Sequence, residues 1–270
     1  MEEQILSVTK LVNTLLGKPV LALLAALHIR PENAEYPIPN HVVMELVVFL
    51  VAIVFFTWLK GRLSVDNPGG TQQCMEALLT NSMGVGARDL LEDIAGHGAE
   101  RYLPMLGSIG MFVLMSNLIG LIPLFSSPTA EKSVPFGLAE VVFLYYNWVG
   151  IRHHGLASYG KQFLGPIPAM SEIMVIVETV SHIARLLSLT VRLWVNMLVS
   201  ELLYATFLGL TLALFVFVGK LSPLGYVLAP VPLLVPCIFI ILHVFVGFLQ
   251  AFVFTLLPII YVGGAVAEEH

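Results

Sequence analysis

Long apolar runs alternate with short polar gaps along this chain, and their spacing predicts an all-α membrane protein. His41 to Leu59 reads as a first spanning helix, closed by Lys60 and Arg62. Residues 63 to 103 carry eight charged residues, from Asp66 to Arg101, and are too polar to span. Within them, residues 74 to 94 read as an amphipathic helix lying along the membrane surface. Pro104 to Leu124 reads as a second span, followed by the proline-framed loop SSPTAEKSVP. A third span covers about Val134 to Ile151 and ends at Arg152, with Lys161 in the next loop. The pattern then changes scale. From Pro168 to Lys220 nothing interrupts the helical periodicity, a run of about 50 residues, or about 75 Å at 1.5 Å per residue. A bilayer core is about 30 Å thick, so the run must be two spans or strongly tilted. Pro232 to Ala267 is a second long run, set off by LSPLGYVLAPVP. At the other end, Leu11 to Leu27 has the apolarity of a signal-peptide core, but MEEQ is acidic and no clear cleavage site follows. It reads as an interfacial or short N-terminal helix, ended by PENAEYPIPN.

Composition agrees. Of 270 residues, 57% are hydrophobic and 11% charged, with mean hydropathy +0.89, too apolar for a soluble surface. The net charge of −5 contains no like-charge block that would attract nucleic acid. Cys74 and Cys237 are too far apart in sequence to suggest a disulfide framework or a metal knuckle. Adjacent His153 and His154, beside Arg152, are expected to point apart and hold no metal. No phosphate loop, zincin helix or nucleophile elbow occurs, so the expectation is no enzyme, no metal and no cofactor in this chain. The basic residues put 60–103 and 152–165 on the cytoplasmic side, with the N-terminus and 125–133 outside.

The chemistry lies in the long runs. Steps of three, four and seven residues return to one helix face, so Glu178, His182, Arg185, Arg192 and Asn196 form a stripe, with Ser181 and Ser188 beside it. Glu201 lies about half a turn away from Arg192 by angle. His243 and Gln250 share a face of the last run. An arginine at mid-span costs about 2.5 to 3.5 kcal/mol on insertion scales and cannot shed its proton. Arg185 can form a structural ion pair with Glu178 or His182. Arg192 has no acidic residue one turn away, and needs a partner on another helix or another chain. Glu201, Asn196, His243 and Gln250 can hold water and relay protons.

These residues carry a resemblance. SHIARLLSLTVRLWVNMLVSEL, followed by HVFVGFLQAFVFTLLPIIYV, is similar to subunit a of the F-type ATP synthase. The family signature is matched by Arg192 with Asn196 and Glu201 after it, by Glu178 and Ser181 before it, and by His243, Gln250, Ala251 and Phe252. SNLIGLIP around Asn117 and SPTAEKSV resemble the family's second-span motif and following loop, so the likeness covers roughly residues 36 to 270. Val195 stands where the family commonly has glycine, and Pro258 should kink the last helix. The resemblance implies a non-catalytic stator subunit of a bacterial inner-membrane rotary ATP synthase. Its partners would be a ring of c subunits, peripheral-stalk b subunits and the bilayer. Residues 1–40 would form an outer segment, 41–165 the spans with the surface helix, and 166–270 a tilted hairpin holding two proton half-channels. Arg192 would be the fixed coupling charge. Glu201, Asn196, His243 and Gln250 would line the outer half-channel, and Glu178 and Ser181 the inner one, with Arg185 and His182 as a structural ion pair. The carboxyl terminus would be cytoplasmic. A self-contained proton-coupled transporter is the alternative, though no internal repeat supports it. A scaffold or intramembrane enzyme leaves the stripe unexplained.

Overall fold

The computed structural model describes residues 6–28, 30–31, 33, 35–65, 67–79, 92, 99–122, 125–162, 164, 171–221 and 230–266. Eight α-helices lie among them: α1 Ser7–Ala26, α2 Asn40–Lys60, α3 Gly70–Leu79, α4 Leu103–Ile119, α5 Ser133–His154, α6 Leu156–Gln162, α7 Ser171–Leu221 and α8 Pro230–Val266. The described residues contain no strand. Five helices, α1, α2, α5, α7 and α8, are long and apolar enough to cross a membrane, and α4 is a shorter apolar helix. α7 runs unbroken for 51 residues and α8 for 37, the latter continuing through Pro236 and Pro258. Only 6% of the apolar window of α7 is buried by its own chain, so this helix leaves most of its surface for lipid or another protein.

Two expectations meet different boundaries. α4 stops at Ile119, although the apolar sequence continues to Leu124. Of the surface helix expected at 74–94, the part to Leu79 lies in α3, and most of the remainder lies outside the described residues.

The chain divides into two compact units. One comprises 1–53, 114–131 and 195–248, the other 54–113, 132–194 and 249–270. In the first, α1 packs on the segment entering α2. Ile38, Val43 and Met44 form a core against Val12, Val20 and Phe125. Two polar positions of α1 face inward: Thr9 and Asn13 are buried. Asn13 Nδ2 donates to Ile38 O at 3.0 Å, and Asn13 Oδ1 accepts from Ile38 N at 3.0 Å, so one side chain serves both backbone groups of a residue outside the helices. Lys10, Thr14 and Lys18 make an exposed stripe on another face, while Leu11, Leu15 and Leu23 are exposed on a third. That sorting suits an interfacial helix, although its length would let it cross.

The second unit is centred on α4 and α5, with Leu106, Ile109, Val113, Val142, Tyr146 and Val149 buried. Glycines set its closest approaches. A Cβ at Gly110 would collide with the Thr255 side chain, and one at Gly150 with the Tyr159 ring.

Asn13→Ala should leave the Ile38 backbone unpaired and destabilise the first unit by about 1 to 3 kcal/mol. A thermal melt of the purified chain, with limited proteolysis of the α1–α2 segment, should show a lower midpoint and faster cleavage. An unchanged melt would mean that the Asn13 bonds add nothing.

Candidate functional site

The early end of α4 builds the first cluster. The carbonyls of Ser116, Asn117, Leu118 and Ile119 have no partner within the helix. The amides of Leu121 and Ile122 take the last two, each at 3.1 Å. The Ser127 hydroxyl donates to Ser116 O at 2.8 Å. His243 Nε2 lies 3.1 Å from Asn117 O, and since a carbonyl only accepts, Nε2 carries the hydrogen. In the neutral ring Nδ1 is then an acceptor, and the Ser200 hydroxyl 2.7 Å away donates to it. The Asn117 side chain is also committed. Its Oδ1 accepts from Thr129 Oγ1 at 2.7 Å, and its Nδ2 donates to Gly247 O at 3.2 Å. Thr129 Oγ1 and Ser127 Oγ are 2.7 Å apart.

Glu201 joins this network through the backbone: Ser127 N donates to its Oε1 at 2.8 Å. Gly120 makes room, because a Cβ there would sit 3.0 Å from Glu201 Oε1 and from Ser127 N. Asn117, Ser127, Thr129 and His243 are all buried, with Glu201 half-buried. Ser116 Oγ, also buried, has no hydrogen-bond partner among the described residues.

The second cluster lies in the other unit. Glu178 Oε1 is 3.3 Å from His182 Nε2 and 3.7 Å from Arg185 Nη2. Tyr146 OH is 2.7 Å from His182 Nδ1, and the two rings stack with centroids 5.6 Å apart. The Arg185 guanidinium lies over the Tyr261 ring at 5.5 Å, and Tyr261 packs on Tyr146. Tyr159, on α6, donates to Asn147 Oδ1 at 2.9 Å. Burial raises the Tyr159 hydroxyl above its ordinary pKa, Glu178 adds to the rise, and Arg185 opposes it. The phenol therefore stays protonated, as its donor role requires.

Arg192 stands apart from both. It is exposed, and its Nη2 donates to Ser188 Oγ at 3.3 Å. Among the described residues it makes no ion pair with a carboxylate. Its helix neighbours Leu187, Val191, Val195 and Val199 are exposed and apolar. Asn196 and Ser181 are half-buried, and Gln250 is buried on α8. The structure thus brings Glu201 near the partners of His243 in one unit, and Glu178, His182 and Arg185 together in the other. His153 and His154 do not point apart as expected from their adjacency: their rings meet edge to face at 4.7 Å. No metal-holding group of three His, Cys, Asp or Glu occurs among the described residues.

Sequence reasoning missed Ser127, Thr129, Ser200 and Tyr146 as members of these networks. The available signal was the density of small polar residues around Asn117 and in SPTAEKSV, two stretches otherwise apolar.

An all-helical polytopic membrane protein, with two polar clusters and an exposed arginine on an apolar helix, is the class that fold and site define. The family model described as ATP synthase A chain matches residues 42–263. An ATP synthase subunit a from Koribacter versatilis (strain Ellin345) is 37% identical over 262 residues, 97% of each chain. The subunit a from Solibacter usitatus (strain Ellin6076) is 41% identical over 234 residues, covering 87% of this chain and 90% of that one. The subunit a from Aquifex aeolicus (strain VF5) is 37% identical over 233 residues, 86% of this chain and 99% of that one. The chain belongs to the ATP synthase subunit a family, and is a multi-pass membrane subunit of that complex.

Gly120→Val should push Ser127 away from Glu201. Hydrogen exchange at the Ser127 amide should accelerate about tenfold, as expected for loss of a hydrogen bond worth about 1 to 1.5 kcal/mol. Unchanged protection would show that the loop does not depend on this close approach.

Proposed function

We propose that this chain is the proton-conducting stator of a rotary ATP synthase, with Arg192 as its fixed coupling charge. The observation that carries the reading is Arg192 itself, exposed on an apolar helix face with no carboxylate partner of its own among the described residues. A guanidinium cannot become neutral by losing a proton, and in this reading its counter-charge comes from another chain. A ring of c subunits that each carry a carboxylate in the membrane meets that need. A carboxylate passing through lipid must be protonated. As it nears Arg192, the positive charge lowers its pKa and the proton leaves.

The clusters would be the two aqueous paths. Glu201, His243, Asn196 and Gln250 would line the outer half-channel. Ser127 and Thr129 hold the Asn117 side chain and the end of α4 beside this path. Glu178 and Ser181 would line the inner path, where His182 and Arg185 hold Glu178 as a structural group. Arg192 falls between the two sets in sequence, and its charge repels hydronium and keeps the paths from joining. One proton crossing 100 mV supplies about 2.3 kcal/mol, so several must be coupled through rotation for each ATP. By the bias of basic residues Lys60, Arg62, Arg152 and Lys161, the carboxyl end would lie on the cytoplasmic side, in our reading that of a bacterial inner membrane. The N-terminus is then outside, with α1 lying in the outer interface. Peripheral-stalk b subunits would complete the stator.

The test is ATP-driven acidification of inverted vesicles, with wild type and Arg192→Ala compared at matched assembly. The variant should keep its complex and ATPase activity and lose acidification. Acidification at the wild-type rate would reduce Arg192 to a structural residue and overturn the reading.

A further inference from the structure

A cleft of about 480 Å³ in the second unit belongs to neither cluster. It lies where the start of α4 meets the end of α5. Arg101 comes from the 3-10 turn Ala99–Tyr102 just before α4, and Arg152 and His153 from the last turn of α5. Tyr102, Tyr145 and Trp148 form the wall. We propose that this cleft binds the phosphate headgroup of an anionic membrane phospholipid.

Three observations support it. First, the arginines are held but not neutralised. Arg101 lies over the Tyr102 ring at 4.7 Å, and Arg152 over Trp148 at 5.3 Å. A cation–π contact uses the ring face and leaves the N–H donors free. Arg101 spends one on Tyr102 OH at 2.6 Å. Among the described residues neither arginine pairs with a carboxylate. Second, the charge balance favours an anion. The C-terminal end of α5 contributes about half a negative charge, against two full guanidinium charges with bidentate phosphate geometry. Third, the surroundings select a lipid over a free phosphate. Both helix ends close apolar segments, and Tyr and Trp at such ends mark the membrane–water interface. Exposed Val141 and Leu144 continue with Trp148 along one face of α5, an apolar stripe leading away from the cleft that an acyl chain can follow. Free phosphate has no use for that stripe.

Native mass spectrometry of the purified full chain tests the proposal, using phosphatidylglycerol and phosphatidylcholine of identical acyl chains. Wild type should bind one phosphatidylglycerol at least about tenfold tighter than phosphatidylcholine. R101Q/R152Q should reduce that affinity about 10- to 30-fold, as two juxtamembrane charges imply. Both arginines are exposed, so folding should survive, and R101K/R152K, which keeps the charge, should retain most of the preference. Equal affinity for the two lipids, or an undiminished preference in R101Q/R152Q, overturns the proposal. Displacement of the lipid by inorganic phosphate at equal concentration would assign the cleft to free phosphate and overturn it too. Lipid extraction from the assembled complex is the remaining arm. Loss of an anionic phospholipid from R101Q/R152Q complexes is expected. Its absence from wild-type complexes would mean that an acidic protein surface fills the cleft instead.

Discussion

A permanent charge in an apolar helix is the constraint on which this molecule turns. α7 carries two arginines seven residues apart, Arg185 and Arg192, on nearly the same face. Their surroundings differ completely. Arg185 has Glu178 at 3.7 Å and the Tyr261 ring beneath it, so its charge is settled within its own unit. Arg192 has a serine hydroxyl and a field of valines and leucines. An arginine there carries an insertion cost of about 2.5 to 3.5 kcal/mol, and no carboxylate among the described residues offsets it. The exposed length of α7 belongs with that observation, because a helix so little covered by its own chain leaves its surface to lipid or to another protein.

The backbone supplies the second constraint. In lipid, carbonyl and amide groups must find partners inside the protein. Ending α4 at Ile119 leaves four carbonyls to satisfy, and two are taken by side chains, from Ser127 and His243. Those bonds fix the loop, and the loop offers Ser127 N to Glu201. A helix terminus thus becomes the scaffold of a polar cluster. His243 also acquires a defined tautomer from a purely structural bond, since a carbonyl can only accept.

What the sequence made legible follows from the reach of periodicity. Helix spacing relates residues a few turns apart, so the grouping of Glu178, His182 and Arg185 could be read directly, as could the isolation of Arg192 from local acids. It cannot relate Ser127 to Glu201, 74 positions away, or His243 to Asn117, 126 positions away. The end of α4 was misplaced for a related reason. Leu121, Ile122 and Leu124 are as apolar as the helix before them, and hydropathy alone does not register a turn beginning at Gly120. Pro123 was the available warning. The inward place of Asn13 on α1 was hidden in the same way, because it looks like a surface residue until the Ile38 backbone is known to need it.

The arginines, compared with one another, show how one side chain serves different ends. A carboxylate at 3.7 Å and an aromatic ring beside it tie Arg185 to its own unit. Exposure among apolar residues leaves Arg192 with one serine hydroxyl as its contact within the described residues. Stacking on aromatic rings at helix ends leaves Arg101 and Arg152 with directed, unspent donors. A lysine could not take the last role as well, because its ammonium is more strongly hydrated and lacks a planar fork. The rings hold each guanidinium by its face, and the donors lie in its plane. A group held that way gives up little rotamer freedom when it meets an anion. The chemistry of each arginine is therefore decided by what meets its face and what meets its edge.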